Sequence, residues 1–217
     1  MNRSVRILLV DDHDVMRAAL RSLLEGQNQL TVVGEAANGR AALTMAEKTA
    51  PDIVVMDINM PELNGIDATR QLAALYPRLK IIGLSIHLNG RMVSEMIEAN
   101  AAGYVSKSSA AQDLINAIHA VMNGKMYVSP EVLSDFVQIR SRIATGQSVF
   151  VKLTEREREV LQLLAEGDST KEVACKLCLS IPTVHTHRQH IMEKLDTHSI
   201  ADLVRYAIRE GLTSADR

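Results

Sequence analysis

The chain lacks several features that would have narrowed its class at once. It has two cysteines in 217 residues, too few for a disulfide framework, which excludes the small stapled secreted scaffolds and fits a reducing compartment. No apolar stretch approaches the roughly 18 residues that a membrane-spanning helix needs, and the N-terminal residues lack a secretory pattern. The expectation is a cytoplasmic protein with no membrane partner. Positive charge is not in excess either. The formal net charge is −2, and dividing the chain near residue 130 leaves both halves slightly acidic. Charge alone does not point to nucleic acid. No internal repeat or low-complexity stretch stands out. What is present is an ordinary globular composition, 47% hydrophobic and 23% charged, in a length that suits one large or two modest domains at about 150 residues each.

Four short apolar runs in the first half each end in a polar residue. They are Ile7-Leu8-Leu9-Val10-Asp11-Asp12, Ile53-Val54-Val55-Met56-Asp57, Ile81-Ile82-Gly83-Leu84-Ser85 and Gly103-Tyr104-Val105-Ser106-Lys107. Their length and β-branched content suit strands buried on both faces of a parallel sheet. Leu30-Thr31-Val32-Val33-Gly34 supplies a fifth. Helical patterns alternate with them at Val15–Leu24, Arg40–Glu47, Ile66–Leu75, Met92–Ile97 and Leu114–Met122. Alternating βα units imply a parallel sheet with helices on both faces, here a five-stranded flavodoxin-like (βα)5 domain. In such a sheet ligands bind outside the carboxyl ends of the strands. That edge gathers three carboxylates, a hydroxyl and an ammonium, a set suited to Mg²⁺ and a phosphoryl group. A dinucleotide site is excluded, because the first βα turn reads Asp11-Asp12-His13-Asp14 where glycines are required.

These residues resemble the receiver domain of two-component response regulators in type, order and place on their strands. The resemblance implies that Asp57 is the phosphoacceptor. It implies Mg²⁺ held by Asp57, by Asp12 directly, by Asp11 through water, and by the backbone carbonyl of Asn59. Ser85 and Lys107 would contact the phosphoryl oxygens, and Tyr104 would be the switch aromatic. The turn Met60-Pro61-Glu62-Leu63-Asn64-Gly65 also matches. His13 and His87 then read as pocket rim, since the receiver chemistry has its parts without them.

The domain is expected to span residues 1–124, followed by a linker over 125–152. Within the linker, Val132, Phe136, Val137 and Ile143 are spaced for one face of a helix over Pro130–Ile143. From Leu153 onward the pattern is all short helices, about 154–166, 169–178, 181–195 and 199–210. Thr154-x-x-Glu157 and Ser169-x-x-Glu172 are capping boxes, and Ser180 and Ser199 are N-cap candidates. The second and third helices are joined by Leu179-Ser180, as in a helix-turn-helix. This predicts a small all-α, four-helix domain over 153–217.

At about 100° per residue, Val184, Ile191 and Leu195 share one side of the third helix. His185, Thr186 and Gln189 share the other, with Arg188 at the edge. Any amphipathic helix would do the same. The wording is more specific: Leu153-Thr154-Glu155-Arg156-Glu157-Arg158-Glu159-Val160-Leu161 with Thr183-Val184-His185-Thr186-His187-Arg188 resembles the LuxR-type helix-turn-helix of NarL/FixJ-family transcriptional regulators. The resemblance implies double-stranded promoter DNA as a partner, with Thr183, His185, Thr186, Arg188, Gln189 and Lys194 as contacts. Gln189, His185 and Thr186 suit base edges, while Arg188 and Lys194 suit phosphates. His185 stands where the family often has lysine, and from Ser180 onward basic and acidic residues are equal in number. Binding should therefore need a homodimer on paired half-sites. The last helix is apolar on more than one face, which gives it a second partner, another subunit or the receiver.

Cys175-x-x-Cys178 reads as two small helix residues. Four-ligand zinc needs two more ligands, and the spacing of His185, His187, His190 and His198 fits no standard finger. The expected function is a phosphorylation-switched transcriptional regulator, served by a sensor histidine kinase and Mg²⁺, which catalyses only its own phosphorylation and dephosphorylation. Two rivals are a phosphoryl-carrier or phosphatase enzyme, opposed by the intact helix-turn-helix, and a regulator whose receiver is only a dimerisation scaffold, opposed by the complete acidic pocket.

Overall fold

The computed structural model describes residues 4–86, 90–108, 111–133, 136–137 and 153–213. The chain divides into two compact units, the main division falling between Ser148 and Val149. In the first unit the order is β1 (Val5–Val10), α1 (Asp14–Glu25), β2 (Leu30–Ala36), α2 (Gly39–Thr49), β3 (Ile53–Asp57), α3 (Gly65–Leu75), β4 (Lys80–Ser85), α4 (Gly90–Glu98), β5 (Gly103–Ser106), α5 (Ala111–Met122) and β6 (Tyr127–Val128). The strands pair in parallel in the order β2-β1-β3-β4-β5-β6.

The apolar runs are strands because both of their faces are covered. Ile7, Leu9, Ile53, Val55, Ile82, Leu84 and Val105 pack on one face with Leu24 of α1 and Leu114, Ala117, Ile118 and Val121 of α5. The alternate residues Leu8, Val54, Met56 and Ile81 are fully buried as well. The helix starts are set locally: Asn38 and Asn64 cap α2 and α3 by accepting from the backbone N–H of Ala41 and Asp67. Caps of this kind satisfy N–H groups that the helix itself leaves without partners.

The sheet has six strands, not the expected five. The sixth comes from the segment expected to be linker. Two residues are too short to leave an alternation in the sequence, and their pairing with Gly103 and Tyr104 is a tertiary event. Of the expected helix 130–143, residues 130–133 and 136–137 are helical; the rest of it lies outside the described residues.

The second unit holds α6 (Glu155–Ala165), α7 (Thr170–Lys176), α8 (Ile181–Leu195) and α9 (Ile200–Arg209). Both capping boxes form, at Thr154/Glu157 and Ser169/Glu172, and Ser180 and Ser199 cap α8 and α9. Val160, Leu163, Val173, Val184, Ile191 and Ala207 make the centre of its core. Helix α7 ends at Lys176, two residues earlier than the pattern suggested. Cys178 takes a left-handed conformation (φ 53°), and the N–H groups of Cys178 and Leu179 donate to the carbonyls of Cys175 and Ala174. This is the paired bonding of a Schellman stop. The turn into α8 is therefore residues 177–180.

Candidate functional site

The strand ends of the first unit are brought level by register. Val10 pairs with Met56, Asp57 with Leu84, and Ser85 with Ser106. The sheet order reverses between β1 and β3, so their carboxyl ends border the crevice where open α/β sheets bind ligands. Asp11 leaves β1 and Asp57 ends β3 on that crevice, 0% and 3% exposed. Ser85 ends β4, and the Lys107 N–H donates to its carbonyl (2.7 Å), extending the β4–β5 ladder by one residue.

The Lys107 ammonium stands 2.7 Å from Asp11 Oδ2 and 2.7 Å from Asp57 Oδ2. Burial pushes the Asp57 carboxyl up to about 6, against the pull of Lys107 and with the help of Asp11. Burial works to lower the Lys107 ammonium, but Asp57 and Asp11 outweigh it and hold it above the ordinary lysine range. The Asn59 N–H donates to Asp57 Oδ1 (3.3 Å). Tyr104 is fully buried; burial raises its hydroxyl, partly offset by a hydrogen bond with Ser85.

Asp12 and His13 complete the cluster. His13 Nδ1 lies 2.8 Å from Asp12 Oδ1 and 3.3 Å from Asp11 Oδ1, on a side chain 68% exposed. One ligand atom each from Asp11, Asp12, His13 and Asp57 falls within 4.8 Å of the others. Three carboxylates at that spacing fit a hard divalent cation that prefers oxygen donors. His87, the other expected rim histidine, lies outside the described residues. The structure thus brings Asp11, Asp12, Asp57 and Lys107 together, with Ser85 and Tyr104 bonded to each other.

One further contact is structural and left no mark in the sequence beyond the turn itself. A Cβ on Gly65 would meet the Asp57 carbonyl oxygen at 1.9 Å, so only glycine lets α3 begin against the end of β3.

In the second unit α8 buries Val184 and Ile191 and leaves His185, Thr186 and Gln189 exposed, with Thr183 and Arg188 half-buried. The Thr186 hydroxyl donates to the Pro182 carbonyl (3.1 Å). The Thr183 hydroxyl bonds with that of Ser180 (2.7 Å). Lys194 is engaged within the domain: its ammonium donates to both Glu157 oxygens at 2.7 and 2.8 Å. Burial would raise Glu157, but the bonds from Lys194 and Thr154 outweigh it and hold the carboxyl below the ordinary range. Cys175 and Cys178 are free and exposed.

The family of the response regulator receiver domain matches residues 7–119, and the luxR family of bacterial regulatory proteins matches residues 151–207. Response regulator UvrY of Escherichia coli is 34% identical over 212 residues, spanning 98% of this chain and 97% of that protein. Response regulator GacA of Pseudomonas viridiflava is 33% identical over 97% of this chain and 99% of its own. A structure of the RcsB response regulator of Salmonella typhimurium superimposes with a TM-score of 0.66 at 26% identity, covering 94% of this chain and 96% of that one. Strand-end chemistry, helix-turn-helix and full-length relatives agree: the chain belongs to the NarL/FixJ-family response regulators, a receiver domain joined to a LuxR-type DNA-binding domain.

Proposed function

We propose that Asp57 accepts a phosphoryl group from a sensor histidine kinase and that this modification governs how α8 engages promoter DNA. The observation that carries the reading is the Lys107 ammonium held at 2.7 Å from both Asp57 and Asp11 at the buried strand ends. An Asp57 oxygen forms the new bond to phosphorus while the phosphorus–nitrogen bond of the kinase phosphohistidine breaks, and the imidazole leaves with the electron pair. Lys107 and the Ser85 hydroxyl hold the phosphoryl oxygens. Asp11, Asp12, Asp57 and the Asn59 backbone carbonyl hold Mg²⁺, which when bound neutralises charge on the transferring group. Tyr104, bonded to Ser85, follows that hydroxyl when the phosphoryl group draws it, and so carries the change along β5. The receiver acts on no other substrate. Among the described residues no helix is long and apolar enough to cross a membrane.

On DNA, His185, Thr186 and Gln189 address base edges and Thr183, Arg188 and Lys194 the backbone. Net basic charge is low, so a phosphorylated homodimer on paired half-sites supplies the affinity. A solved complex of the relative RcsB with DNA supports extending this role to the present chain. The test is labelling by a small phosphodonor with Mg²⁺, followed by a gel shift. Asp57→Asn keeps the size of the side chain and removes the nucleophile, so labelling should vanish together with phosphodonor-dependent binding. Undiminished label mapped elsewhere would overturn the assignment, and labelling without any DNA binding would favour a phosphoryl carrier.

A further inference from the structure

The chain leaving the receiver is fastened to the strand that carries the switch residues. Tyr127 and Val128 pair with Gly103 and Tyr104. The next residue, Ser129, is fully buried and bonds the same strand edge twice. Its N–H donates to the Tyr104 carbonyl (3.0 Å), and its hydroxyl oxygen accepts from the Ser106 N–H (3.2 Å). Ser106 is the residue before Lys107. The Ser129 hydroxyl in turn donates to Asp113 Oδ2 (2.6 Å), and the Tyr127 hydroxyl donates to Asp113 Oδ1. One carboxylate in the first turn of α5 thus holds residues 127 and 129. Immediately beyond, the Val132 N–H donates to the Ser129 carbonyl (3.1 Å), where the chain turns into a helix over 130–133.

These bonds are strong for their number. Hydroxyl donors to an ionised carboxylate make shorter and stronger bonds than neutral pairs. Removing the Ser129 hydroxyl would leave the buried Ser106 N–H without its acceptor. We propose that Asp113 and Ser129 are positioning residues of the switch: they lock the start of the interdomain segment to the edge of β5 between Tyr104 and Lys107, so that displacement of β5 on phosphorylation moves that segment. The proposal rests on the phosphorylation reading above and adds the route by which the second domain receives it. Hydrogen-bond networks and packed elements carry coupling between sites, and here the contact that would carry it is the Asp113–Ser129 pair.

The experiment uses the full chain, a duplex selected by the wild-type protein, and a small phosphodonor with Mg²⁺. The readout is the ratio of DNA affinities with and without phosphorylation. Ser129→Ala, Asp113→Asn and Tyr127→Phe should label at Asp57 as the wild type does and bind DNA unchanged without phosphodonor. A purely structural role would not move the ratio, yet it should fall about fivefold in Ser129→Ala and Asp113→Asn, and less in Tyr127→Phe, which keeps the Ser129 bond. A wild-type ratio retained in all three variants overturns the fastening alone. Loss of labelling in all three overturns it too, by placing these residues in the pocket chemistry. A wild-type ratio near one overturns the phosphorylation switch itself, and the fastening with it.

Discussion

The two domains differ in what their most buried charged side chains do. In the receiver, Asp11 and Asp57 are buried at strand ends and share one ammonium, so the charge is concentrated where water screens it least. In the helix-turn-helix domain ion pairs and charged hydrogen bonds tie the fold together, one of them between two helices. Glu157 takes part in the α6 capping box and holds Lys194 of α8. Arg156 bonds Glu159 and the Leu177 carbonyl, and Lys176 pairs with Asp168 at 2.7 Å. On the exposed side of α8, Thr186 and Gln189 are neutral hydrogen-bonding groups, with His185 beside them. A site that performs ionic chemistry must gather its charge beforehand. A surface that reads DNA gains specificity from neutral hydrogen-bonding groups and needs cations only for phosphates.

The largest effect should come from the receiver side of that contrast. Gly65→Ala would place a methyl group against the Asp57 carbonyl, a backbone atom that cannot rotate away. Overpacking of that kind costs about 3 kcal/mol where nothing can yield. Urea unfolding should show the receiver transition shifted by that amount, phosphodonor labelling should drop in parallel, and the second domain should unfold as before. Wild-type stability and labelling in this variant would mean that the end of β3 is looser than the pocket geometry requires.

On the other side, Glu157→Gln removes the charge that joins α6 to α8 while keeping a group able to cap. A cost of about 1 kcal/mol is expected, since Lys194 is 38% exposed and solvent weakens its share. The pH dependence has a definite sign. Glu157 is held below its ordinary range in the folded domain, so its contribution is full above the unfolded glutamate value of about 4.3 and is lost as pH falls through the lower folded value. The protection of backbone amides over residues 155–195, taken relative to their intrinsic exchange rate at each pH, should therefore fall on acidification in the wild type more than in the variant. Equal acid sensitivity in both would show that the ion pair does not join the helices.

How much of this was legible depended on whether a residue's role was local. β1, β3, β4 and β5 were readable because strands covered on both faces are continuous apolar runs, and Asp11, Asp57, Ser85 and Lys107 were readable because each sits where its run stops. The four caps at Thr154, Ser169, Ser180 and Ser199 were equally plain, being set within three residues. The sixth strand was not, since Tyr127 and Val128 owe their pairing to Gly103 and Tyr104. Nor was the grip of Asp113 on Tyr127 and Ser129, which lie 14 and 16 residues away in no periodic relation. The early end of α7 follows from the left-handed Cys178, a position where glycine would have announced the stop.

The smallest effect separates the two cations of α8, which the helix pattern alone treats alike. Each phosphate that a protein cation neutralises on binding contributes close to one unit to the salt dependence of DNA affinity. Arg188→Ala should flatten the slope of log affinity against log salt by about one and weaken all sequences together. Lys194 begins from a different state, because its ammonium is already neutralised by Glu157 at 2.7 Å. To meet a phosphate it must give up that pair, so part of the gain is cancelled and Lys194→Ala should flatten the slope by less than Arg188→Ala. It should also destabilise the domain, by leaving the Glu157 carboxylate 4% exposed without its cation. Adding Glu157→Gln to Lys194→Ala should recover stability and leave the slope of the single variant. Equal slope changes at the two positions would mean that Lys194 leaves Glu157 freely on DNA, and the contrast between a domain that gathers charge for chemistry and one that uses it for joinery would lose its clearest case.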